Sequence, residues 1–145
     1  MNKFTRMAVG ALTVAAVIAP LSTVTTASAL PAAGKDWTTL ESLNRAKQQA
    51  CKVSADEGTV WKIYNRLDAR RMPRRWVRVR STLTATRSGV PTARDWDSGW
   101  VRHGNVSAVG TFKIPKTGPW ALTMSIYGDN AGSGGELTAA DIRHC

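Results

Sequence analysis

The sequence predicts an all-β chain: an antiparallel β-sandwich or small barrel behind a short N-terminal helix or flexible lead. Three observations carry that expectation. After Cys51, apolar residues alternate with polar ones at a period of two over most of the chain. β-branched and aromatic residues fill those runs, as pleated, half-buried surfaces favour. Clusters of turn-forming residues separate the runs at short intervals, the spacing of an antiparallel sandwich.

The elements follow in chain order. Residues 1–29 read as a secretory signal peptide. Lys3 and Arg6 supply its positive start, residues 7–21 are apolar and uncharged, and Ala27-Ser28-Ala29 supplies the small side chains that a signal peptidase accepts. The apolar run is shorter than the roughly 20 residues of a membrane span, and Pro20 interrupts it. Cleavage near Ala29 and an extracellular product without a membrane span are therefore expected. Residues 30–50 form an N-terminal lead. Thr38 to Glu41 fits a capping box, and Leu40, Leu43, Ala46, Lys47 and Ala50 follow a helical period. A helix of that length is marginal alone, so the lead is helical or flexible.

Residues 51–145 are expected to form a single β-sandwich domain. Trp61, Ile63 and Leu67 alternate with Lys62, Tyr64 and Arg66. Val77, Val79, Leu83 and Ala85 alternate with Trp76, Arg78, Arg80, Thr82 and Thr84. Val106, Ala108, Phe112 and Ile114 share one parity, and Trp120, Leu122, Met124 and Ile126 another. Turn signals fall at residues 71–73, 87–91, 103–105 and 116–119. Residues 128–135 read as a Gly-rich loop before a terminal strand or turn at residues 137–142.

Charge and cysteine usage narrow the function. The chain carries 20 basic and 10 acidic residues. Residues 62–102 hold eleven basic residues against three acidic ones, and the rest of the mature chain is balanced. Arg66 and Arg70 belong to the outward set of one strand, and Arg78 and Arg80 to that of the next. If those strands pair as a hairpin, their outward faces merge into one basic surface that also bears Tyr64 and Trp76. Such a surface suits a polyanion, since guanidinium groups attract it and aromatic rings stack on it. A solvated strand face that blocks stray pairing is the competing reading. Trp76, Trp96 and Trp100 are candidate aromatic contacts. Trp96 and Trp100, flanked by Asp95 and Asp97, resemble a carbohydrate platform, whereas Trp61 and Trp120 share parity with core residues and read as structural. Cys51 and Cys145 are expected to form one disulfide, as an even pair does in an exported chain.

Catalysis is poorly supplied. His103 and His144 are the only histidines, and neither sits in a zinc-ligand pattern. No nucleophile elbow or phosphate-binding loop is present, and residues 128–136 lack the acid spacing of a calcium loop. No metal and no cofactor is expected. Asp95, Asp97 and His103 are the only acid–base cluster that a hydrolase could use. The expected function is that of a monomeric, secreted, non-enzymatic binding protein. Its basic face would take an extracellular polyanion (a wall polymer or nucleic acid), a carbohydrate or the cell envelope. The alternatives are a secreted hydrolase acting on a polymer and a secreted inhibitor or partner-binding protein.

The signal ending Ala27-Ser28-Ala29, the Cys51 and Cys145 frame, the segment Asp97-Ser98-Gly99-Trp100-Val101 and the Gly-rich loop before a terminal Cys resemble small, single-disulfide, all-β secreted proteins of actinobacteria. The resemblance covers most of the mature chain and implies no particular activity. In size the chain also resembles the sandwich-fold antibiotic-carrier proteins of those bacteria. Those are acidic with two disulfides, and this sequence departs from them in both respects.

Overall fold

The computed structural model describes residues 36–88 and 90–145, and the signal peptide expected at residues 1–29 lies outside them. The described residues form nine strands: β1 Thr38–Leu43, β2 Ala46–Ala55, β3 Val60–Asp68, β4 Arg78–Arg87, β5 Val90–Asp97, β6 Val101–Arg102, β7 Gly110–Pro115, β8 Trp120–Gly128 and β9 Gly132–Thr138. A single 3-10 turn, Ala139–Asp141, follows β9. Two antiparallel sheets pack face to face, one ordered β1-β2-β3-β7 and the other β5-β4-β8-β9 with β6 pairing the start of β4. The chain is thus an open sandwich and not a closed barrel. Ile63, Leu67, Phe112 and Ile114 of the first sheet meet Val79, Leu83, Leu122 and Ile126 of the second, all buried. Burying each such side chain stabilises the fold by about 1.5–3 kcal/mol. Trp61 and Trp120 pack against this core as expected.

The helix expected in the N-terminal lead is not formed: residues 38–55 are the hairpin of β1 and β2. The set turned inward on β2 is Ala46, Gln48, Ala50 and Lys52, all buried. Two of its four members are polar, so hydropathy does not alternate, and the spacing of Leu40 and Leu43 imitates a helix. Gln48 is tolerated because its Nε2 donates to the Thr82 carbonyl of the other sheet at 2.8 Å. Asn44 and Arg45, with φ of 49° and 68°, form the two-residue turn. Positive φ at both positions matches the twist of the strands.

The expected hairpin between the third and fourth strands is also absent. β3 pairs β2 and β7, whereas β4 lies in the opposite sheet. Residues 69–77 cross between the sheets, anchored by buried Ala69 and Met72. The Ala69 amide donates to the Asn105 carbonyl at 2.9 Å, and the Gly104 amide to the Ala69 carbonyl at 3.0 Å. Val77 therefore leaves the core and is 61% exposed. Val106 and Ala108 precede β7 and are exposed. Part of the Gly-rich stretch is strand β9, not loop. A Cβ at Gly134 would lie 2.6 Å from the Met124 carbonyl oxygen, so glycine lets β9 approach β8.

Cys51 and Cys145 are bonded. The C-terminal tail extends the first sheet beside β2: the Lys52 amide donates to the Arg143 carbonyl and the Cys145 amide to the Lys52 carbonyl, both at 3.0 Å. The Lys52 ammonium reaches the Ala139 carbonyl and lies 4.8 Å from the Trp61 ring centroid. Burial lowers its pKa, and Asp141 opposes that shift.

Register fixes which loops share an end. Lys47 pairs Asp68, Asn65 pairs Gly110 and Val79 pairs Gly128. The turn at residues 44–45, the 69–77 crossover, residues 103–109 and the turn at residues 129–131 therefore cluster at one pole. The turn at residues 56–59 and residues 116–119 lie at the other, and the disulfide sits midway along β2.

Candidate anion-binding pole

On the outward side of the first sheet, Gln49 sits opposite Arg66 and Lys47 opposite Asp68. These four line a cavity of about 190 Å³ together with Arg45, Arg70 and Arg71. Five cations thus face one another with a single carboxylate among them. Like charges disperse unless something holds them, and the geometry shows what does. Arg66 Nε donates to Gln49 Oε1 at 2.9 Å, and its guanidinium stacks 4.2 Å from the Trp37 ring centroid. Burial lowers the Arg66 pKa, Asp68 opposes this and Arg70 adds to it. An arginine so placed stays charged at any physiological pH. Arg70 grips Asp68 as a fork, Nε to Oδ1 at 3.0 Å and Nη2 to Oδ2 at 2.6 Å. That fork is the main reason the Asp68 carboxyl is held below the usual carboxylate range. The one acid is neutralised by Arg70, so Arg45, Lys47, Arg66 and Arg71 set the field of the groove.

The crossover carries this charge from one sheet to the other. Arg70, Arg71, Arg74 and Arg75 fall within six residues of it. Arg71 lines the groove, while Arg75 lines a second hollow with Trp76, Val77, Asp129 and Asn130. Beyond that hollow, Arg78 Nε meets Asp129 Oδ1 at 3.4 Å, and its guanidinium lies 4.4 Å from the Trp100 ring centroid. Trp100 meets Tyr127 edge-on, at 5.7 Å and 84°. Arg80 forks onto Asp97, with Nε 2.9 Å from both carboxylate oxygens. The Asp97 carboxyl is held low chiefly by that contact, helped by the Gly99 amide.

The candidate residues are therefore placed in two groups. Arg66 and Arg70 share the groove on the first sheet. Arg78 and Arg80 lie on the second, joined to the groove by the crossover rather than by a common hairpin face. Arg80 is the one most occupied by its own acid. Trp76 is half-buried and Trp100 is 43% exposed. Trp96 is not a surface contact: it is 8% exposed and belongs to the core. A Cβ at Gly110 would lie 2.1 Å from its ring, so Gly110 makes the space that Trp96 fills. Trp96 and Trp100 thus do not share a face.

Asp95, Asp97 and His103 do not converge. Asp97 pairs Thr82 and Asp95 pairs Thr84, whereas His103 follows Arg102, which pairs Arg78. Six residues of strand separate Arg78 from Thr84, about 20 Å. Among the described residues no group of three His, Cys, Asp or Glu side chains could hold a metal. Sequence reasoning missed Arg45 and Lys47, because the lead hid their hairpin. It counted Arg71 and Arg75 without singling them out, although four arginines in six turn residues were the signal.

Fold and site together define a β-sandwich with one arginine-rich pole. Comparison with protein-family models, curated proteins and solved structures finds no match.

Proposed function

We propose that the chain is an exported, non-enzymatic binding protein that grips a phosphate-bearing polymer at its arginine-rich pole. The observation that carries the reading is the groove, where five cations surround one cavity and their only acid is already bound by Arg70. Guanidinium groups match the bidentate geometry of phosphate, and a row of them gains affinity by releasing the polymer's counterions. The disulfide and the signal-like N-terminus support an oxidising, extracellular setting. Wall polymers and nucleic acid share the phosphodiester chemistry that the groove would read.

A salt titration of binding to polyphosphate and to a single-stranded oligonucleotide tests the reading. Affinity should fall steeply with salt. Arg66→Gln with Arg71→Gln should weaken binding and flatten the log–log slope by about 1.4, from two lost contacts at roughly 0.7 each. Lys113→Gln with Lys116→Gln, at the opposite pole, should leave both unchanged. Equal effects from the two pairs, or no binding at physiological salt, would refute it.

A further inference from the structure

The hollow beside the arginine crossover differs chemically from the groove. Its volume is about 270 Å³, and Arg75, Trp76, Val77, Asp129 and Asn130 line it. Trp76 and Val77 supply apolar surface, while the other three supply a guanidinium, a carboxylate and an amide. Val77 is 61% exposed although it is aliphatic, so the core gives no reason for an apolar residue there. The Trp76 ring is seated on Gly128, where an added Cβ would lie 3.1 Å from it. The seat fixes the ring and leaves it half-buried. Asp129 is 41% exposed and has one long contact, at 3.4 Å, with Arg78, so its carboxylate keeps most of its accepting capacity. Trp100 stands nearby, braced by Arg78 and Tyr127.

We infer that this hollow is a subsite for a single sugar ring, which makes the polymer held by the pole a charged glycan. The inference rests on the anion-binding reading above and names the ligand class. A pyranose has an apolar C–H face and a rim of hydroxyls. The face packs on Trp76 and Val77, and the rim meets acceptors and donors on Asp129, Asn130 and Arg75. The volume falls just below the range of drug-sized pockets and takes one ring. Asp129 discriminates between ligands. A chain of bare phosphates passing it meets repulsion and leaves the apolar surface wet, whereas paired hydroxyls donate to the carboxylate. A nucleobase also stacks on an indole, but its flanking phosphodiesters would be carried towards that carboxylate.

The test compares phosphorylated dextran, uncharged dextran, polyphosphate and a single-stranded oligonucleotide on the full disulfide-bonded protein. Phosphorylated dextran should bind more tightly than polyphosphate of equal charge. Asp129→Ala should weaken its binding about tenfold, the scale of a lost hydrogen bond to a charged group. The same variant should leave polyphosphate binding unchanged or slightly tighter. Val77→Ser should act in the same selective way, and both exposed sites leave the melting temperature nearly unchanged. The sugar subsite is refuted if phosphorylated dextran binds no better than polyphosphate, if Asp129→Ala tightens both alike, or if the oligonucleotide binds best and loses affinity in Asp129→Ala. Binding of uncharged dextran that is sensitive to Asp129→Ala, without polyphosphate binding, would instead refute the groove and uphold the subsite.

Discussion

Replacing Cys145 by Ser opens the Cys51–Cys145 bond while keeping the size of the side chain. The two cysteines are 94 residues apart. Closing a loop of that length in the unfolded chain is worth about 4.7 kcal/mol in the chain-entropy model. The backbone bonds between the tail and Lys52 remain available, and Ile142, 1% exposed, still anchors the tail in the core. The expected loss is therefore close to the entropic figure. If Ile142 also came free, its burial would add about 2–3 kcal/mol. For a domain of about 110 residues, a loss of 4.7 kcal/mol corresponds to a fall in melting temperature of about 20 °C. Urea and thermal unfolding of the oxidised protein and of Cys145→Ser would measure it, with the reduced wild type as a second route to the open chain. A difference below about 1 kcal/mol would show that the bridge contributes nothing the tail's other contacts do not already give.

Two further outcomes follow from the pole. The Asp68 and Asp97 carboxyls are held low by Arg70 and Arg80, so the stability they contribute is present above the unfolded value near pH 4 and is lost as pH falls below it. The urea midpoint should drop over that acid window, Asp97→Asn should shallow the drop, and a wild-type midpoint flat from pH 5 to pH 2 would contradict the pairing. Arg45 occupies a turn position with φ of 68°, where glycine fits without strain. Arg45→Gly should alter stability by less than about 1 kcal/mol and lower affinity for polyphosphate at low salt; unchanged affinity would remove Arg45 from the site.

The strands with clean alternation were legible. β3, β4, β7 and β8 each present apolar residues at alternate positions, interrupted by buried Asn65 on β3 and Ser81 on β4, and the sequence reveals them without reference to partners. β2 was hidden because Gln48 and Lys52 occupy inward positions, and their acceptability depends on a carbonyl in the other sheet and on the tail. β9 was hidden because its glycines are set by the backbone of β8, a contact across strands and not a propensity. The basic cluster was half legible. Charge density marked residues 62–102, but whether neighbouring strands share a sheet depends on the route of residues 69–77. That route is decided by the burial of Ala69 and Met72 and by bonds to residues 104 and 105. Trp96 misled for a related reason: only Gly110, on another strand, shows that its ring points inward.

The crowding of arginines at one pole also fixes attitude. At the far pole Lys113 is paired with Asp56, and Arg87 and Lys116 stand at the same end with Glu57, so the excess of positive charge there is far smaller than at the arginine-rich pole. On a negatively charged layer such a body feels a torque that turns its strands upright. Adsorbed molecules would then stand like pegs, with the turns at residues 56–59 and 116–119 facing the solvent. The footprint of each would be the cross-section of the sandwich instead of its flank, which raises the density at which a surface saturates.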